Sequence, residues 1–94
     1  MTVSVVKRFT KDPDSVLDYV MDWSDWLGAT DTISVSTWAA DAGITIDSNT
    51  NSTTTATVWL SGGTVRRKYI VTNSIETNEG RSVDRSILVR CIEK

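Results

Sequence analysis

The stretch that most constrains the fold is residues 68–92, where apolar and polar residues alternate on both sides of Thr77-Asn78-Glu79-Gly80-Arg81. That pentad suits a three-residue hairpin loop, a type I turn closed by Gly80 in the left-handed region. Centring the hairpin on Glu79 predicts six cross-strand pairs. Ile75 with Val83, Val71 with Ile87 and Tyr69 with Val89 form an apolar face. Thr72 with Ser86, Ile70 with Leu88 and Lys68 with Arg90 form the other. A one-residue slip would put every apolar side chain on the wrong face, so turn and pattern specify the same register.

The rest of the chain also favours strands. Val, Ile and Thr are abundant, and Pro13 is the only proline. Residues 2–9 place Val3, Val5, Lys7 and Phe9 on one parity, and Lys11-Asp12-Pro13-Asp14 turns the chain. Residues 16–23 fit a helix capped by Asp12, but alternate more cleanly as a strand: Leu17, Tyr19, Met21 and Trp23 against Asp18, Val20 and Asp22. A short helical turn is expected at 24–27. Residues 32–39 carry Ile33, Val35 and Trp38, with a parity break before Trp38 that suggests a bulge. Ile44-Thr45-Ile46 follows Gly43, 47–52 reads as a polar loop containing the sequon Asn51-Ser52-Thr53, and 53–60 alternates Thr54, Ala56, Val58 and Leu60 against Trp59. Ser61-Gly62-Gly63 is the next turn. The expected fold is all-β: one immunoglobulin-like β-sandwich domain over 1–94, of about seven antiparallel strands. Tyr69, early in the penultimate strand after a Gly-rich turn, stands where a tyrosine corner would, or is plain core.

Composition narrows the function. Histidine is absent, which removes the commonest general base and the usual partner of a Ser or Cys nucleophile. Cys91 is the only cysteine, so no intrachain disulfide is possible; its parity is inward. Asp12, Asp14, Asp18, Asp22, Asp25 and Asp31 cluster within twenty residues but lack the calcium-loop pattern, and turn caps on a solvated face account for them better. No catalytic set, cofactor or metal is implied. A net charge of −2 argues against nucleic acid as the partner. No apolar run approaches the roughly 18–20 residues of a membrane helix, and no signal-peptide layout opens the chain, so a soluble, unexported protein is expected.

Two features suggest a partner. Arg66, Lys68 and Arg90 share the outer hairpin face with Ile70, Leu88 and Ile92, and Lys68 opposite Arg90 sets like charges side by side. An acidic neighbour would account for both charge and apolar area; the alternative is an ordinary amphiphilic face. Trp23 and Trp38 are expected in the core. Trp59 is exposed if Val58 and Leu60 point inward, and is then an interface anchor.

The run Asp12-Pro13-Asp14-Ser15-Val16-Leu17-Asp18-Tyr19, followed by Asp22-Trp23-Ser24-Asp25-Trp26-Leu27, then Thr57-Val58-Trp59-Leu60-Ser61-Gly62-Gly63-Thr64 and Tyr69-Ile70-Val71-Thr72-Asn73, resembles the phage fiber-tail adaptor proteins. The resemblance runs from about Lys11 to Ile92 and departs at Arg66-Arg67, where uncharged residues are expected. It implies a non-enzymatic virion protein made in the bacterial host cytoplasm and present in several symmetric copies. Its partners would be phage structural proteins of the portal or neck, the tail and the tail fibres. Rival readings are a capsid decoration or head-completion protein, and a carbohydrate-binding module using Trp59 or Trp26.

Overall fold

A computed structural model describes residues 5–93. Among these described residues, seven strands and one helical turn follow in the order β1 Val5–Lys11, β2 Leu17–Asp22, α1 Ser24–Leu27, β3 Ile33–Ala40, β4 Ile44–Asn51, β5 Thr55–Gly62, β6 Lys68–Thr77 and β7 Ser82–Cys91. They form a sandwich. Sheet A has the order β1-β7-β6-β3 and sheet B the order β2-β5-β4.

The β6–β7 hairpin has the register the sequence predicts, with all six expected pairs present. Tyr69, Val71, Ile75, Ile87 and Val89 turn inward and are buried. From sheet B, Tyr19, Met21, Ala56, Val58 and Leu60 meet them, as the alternation in β2 and β5 requires. Trp23 is fully buried, and its indole N–H donates to Asn73 Oδ1 at 2.8 Å. The Asn73 amide in turn donates to Thr37 O at 2.9 Å and Ser36 Oγ at 3.0 Å. One buried amide thus ties the end of β2 to β6 and β3, and its polar atoms are satisfied where an unpaired one would cost about 1–3 kcal/mol.

Tyr69 closes a tyrosine corner. Its hydroxyl accepts the Thr64 backbone N–H at 2.9 Å, five residues upstream. The ring and the Cys91 thiol leave no room at Gly63, whose φ of +97° already excludes most side chains.

Five expectations need correction. The strands are not all antiparallel: β1 runs parallel to β7, because the chain leaves sheet A at Lys11 and crosses to sheet B instead of turning back beside its neighbour. Residues 2–4 of the expected first strand lie outside the described part, but at its other end β1 continues through Lys11. That lysine is buried, its ammonium donating to Asp12 O (2.9 Å) and Gly62 O (2.8 Å). The bulge of β3 falls between Ile33 and Val35, not next to Trp38, so Val35 faces out at 47% exposure while Trp38 is half-buried against the core. Residues 47–51 are strand: β4 continues to Asn51 because its backbone pairs with β5 across a bulge between Ile46 and Ser48. An edge strand needs a ladder more than apolar side chains, which is why this polar run reads as loop. Finally, β5 reaches Gly62 and the chain turns later, after Thr64.

Candidate partner-binding surfaces

One network at the hairpin end shows what occupied polar groups look like in this molecule. Asp31, from the loop before β3, is buried. Its Oδ1 accepts the backbone N–H groups of Thr32 at 2.9 Å and Glu79 at 3.1 Å. Its Oδ2 accepts Arg81 Nε at 3.0 Å and Nη2 at 2.8 Å. Desolvation pushes this carboxyl up, but hydrogen bonds from Thr77, Arg81, Thr32 and Glu79 outweigh it and hold the pKa at about 2. Arg81 also donates to Leu27 O at 3.0 Å and lies 4.3 Å over the Trp26 ring. Trp26, one of the two possible sugar platforms, is therefore half-buried with a ring face already taken.

The other aspartates of the cluster have local roles or none. Asp12 accepts the Asp14 N–H and Asp22 the Ser24 N–H, both at 2.9 Å, as turn caps. The Ser24 bonds hold the Asp22 carboxyl below the usual carboxylate range, helped by nearby Lys7. Asp18 is exposed on β2.

The outer face of sheet A is different. Lys68 and Arg90 are register partners, as are Ile70 and Leu88. The parallel strand β1 extends both rows, setting Thr10 beside Arg90 and Arg8 beside Leu88. Arg8, Phe9, Thr10, Lys68, Leu88 and Arg90 line a shallow depression of about 280 Å³. Among the described residues, the one ion pair is Asp31–Arg81, so no carboxylate lies within salt-bridge reach of Arg8, Lys68 or Arg90. Like charges side by side on a sheet are unfavourable.

Four of the expected site residues thus come together: Lys68, Ile70, Leu88 and Arg90. Arg66 lies outside the strand that carries them. It sits in the turn before β6 with a left-handed φ of 71°, its N–H donating to Cys91 O at 2.9 Å. The turn fixes its backbone before the strand's alternation begins at Lys68. Trp59 is exposed, as its parity predicts, at 40%. It stands on the outer face of sheet B, across the whole sandwich from Lys68. Asp18 of β2 is its register partner. Asp47 in the β4 bulge takes the Ser61 hydroxyl at 2.9 Å two residues along β5. Arg8 was missed by sequence reasoning, because only its parallel pairing with a strand some eighty residues away brings it to the patch.

A family model described as podophage GP4 fiber-tail adaptor protein gp77 matches residues 11–90. No curated protein matches the chain. Among solved structures, the solution structure of the PKD domain from KIAA 1837 protein is similar, with a TM-score of 0.53 at 18% identity, covering 99% of this chain and 85% of that one. At that identity the likeness bears on fold alone, and it agrees with an immunoglobulin-like sandwich.

Proposed function

Since this chain belongs to the family of podophage GP4 fiber-tail adaptor proteins, gp77, whose role is structural and tail-associated, we propose that it is a connector joining the tail or its fibres to the portal or neck of the particle. It would act without catalysis, in several symmetric copies, through protein–protein contacts. The observation that carries the reading is the uncovered Lys68–Arg90 pair beside Leu88 and Ile70 on the outer face of sheet A. A cationic pair that weakens the lone domain, set against apolar area, gains from burial under an acidic neighbour.

Leu88→Asp tests it. Leu88 is half-buried on the outer face, so the variant is expected to keep the wild-type circular dichroism spectrum and to be lost from assembled particles. Incorporation at the wild-type level would rule the patch out.

A further inference from the structure

The charges of this chain are separated along its length. From Asp12 to Val65 there are eight aspartates and not one lysine or arginine. All three strands of sheet B fall in that stretch, so their only charged residues are Asp18, Asp22 and Asp47. Every cation of the protein belongs to β1 or follows Val65, and three of them, Arg8, Lys68 and Arg90, surround Leu88 and Ile70 on the outer face of sheet A. The outer face of sheet B has the complementary layout, with the apolar surface of Trp59 and Val20 flanked by Asp18 and Asp47.

We propose that these two faces are the halves of one interface, the outer face of sheet A in one copy packing on the outer face of sheet B in the next. The inference rests on the reading of the sheet A patch as a partner surface and names its partner as a second copy of this chain. The acids beside Trp59 would cover the like-charged Lys68–Arg90 pair, and a cation would come to rest on the Trp59 ring. The molecule already makes that contact twice internally, with Arg81 at 4.3 Å over Trp26 and Arg85 at 4.5 Å over Trp23. Size permits it: the chain measures 42 × 26 × 19 Å, and a standard interface takes roughly 800 Å² from each partner. Because the two faces lie on opposite sides of the sandwich, the contact is heterologous. Such contacts repeat from copy to copy and close into a ring when the rotation permits. The competing arrangement sets sheet A on sheet A, its cations meeting Glu76 and Asp84 at the hairpin end of the same face.

The test measures the mass of the purified chain in solution at low and high ionic strength, for the wild type and two double variants. One is Lys68→Glu with Arg90→Glu; the other is Asp18→Lys with Asp47→Lys. The wild type is expected to self-associate at low salt and to dissociate as salt rises. Each variant alone should stay monomeric, and mixing the two should restore association, because the reversed faces again complement each other. Recovery on mixing also shows that both variants are folded. A wild type that stays monomeric at high concentration and low salt would overturn the copy-to-copy contact. So would self-association of the Asp18, Asp47 variant at the wild-type level, which would favour sheet A on sheet A. A monomeric wild type that nonetheless loses particle incorporation on Leu88→Asp would leave the connector reading standing, with its patch serving a different tail protein.

Discussion

Arg81 and Arg90 belong to one hairpin and are treated in opposite ways. At the tip, Arg81 has a carboxylate, a backbone carbonyl and an indole face to itself. At the far end Arg90 stands beside Lys68, with no carboxylate in salt-bridge reach among the described residues. The tip uses charge to hold the loop before β3, α1 and the hairpin in one arrangement. At the far end charge holds nothing in place among the described residues, and the like-charged pair slightly weakens the monomer. Residue type does not separate the two roles; what separates them is whether the fold supplies the opposite charge.

Three measurements would break or sharpen that contrast. The largest effect is expected at the Trp23–Asn73 link behind the tip. Trp23→Ala should lower unfolding free energy by about 3–5 kcal/mol in urea titrations, from lost packing and an orphaned Asn73. A small loss would mean that the hairpin end is not where stability is concentrated. Next comes the clamp. The Asp31 carboxyl has its pKa at about 2 in the folded chain, below its ordinary 3.8. The stability it adds is therefore fully present above the ordinary value and lost as pH falls through the folded one. Melting temperatures followed by circular dichroism should drop between about pH 4 and pH 2 in the wild type. Asp31→Asn should be less stable at neutral pH and show a shallower decline. The smallest effect has the opposite sign: Lys68→Ser should stabilise the isolated chain by roughly 0.2–1 kcal/mol while weakening assembly. A loss of monomer stability would place Lys68 with the clamp residues and end the contrast.

How much of this was legible in the sequence depended on whether a local rule decided it. The hairpin was, because the turn and the alternation each specify the same pairs. So were β2 and the helical turn at Trp26, where alternation stops at a tryptophan that must be buried. The polar half of β4 was not, since an edge strand is held by its ladder to β5 and no burial marks it. The β3 bulge was expected, but a break in parity does not say which residue absorbs it, and Val35 went outward as a result. On the candidate surface, Lys68, Ile70, Leu88 and Arg90 followed from the hairpin register. Arg66 was misplaced because strand alternation was carried back into a turn with positive φ. Trp59 was correctly exposed, but parity says only that a side chain points away from its own sheet. Which side of the molecule that is follows from topology, and the pairing order of β2, β5 and β4 set it opposite Lys68.

The parallel pairing of β1 with β7 also bears on how the chain is made. Val5 to Lys11 pair with Ser86 to Cys91, so the first described strand has no ladder partner until nearly the whole domain has been synthesised. Contacts of such long sequence separation are slow to form, and domains emerge from the ribosome N-terminal end first. During translation β1 has to wait, and β7 keeps an open edge until β1 arrives. The interval between the exit of β7 from the ribosome and the docking of β1 is when an open edge of sheet A invites a wrong partner. Two of the three cations of β1, Lys7 and Arg8, are well placed to keep the waiting strand from pairing with its own kind.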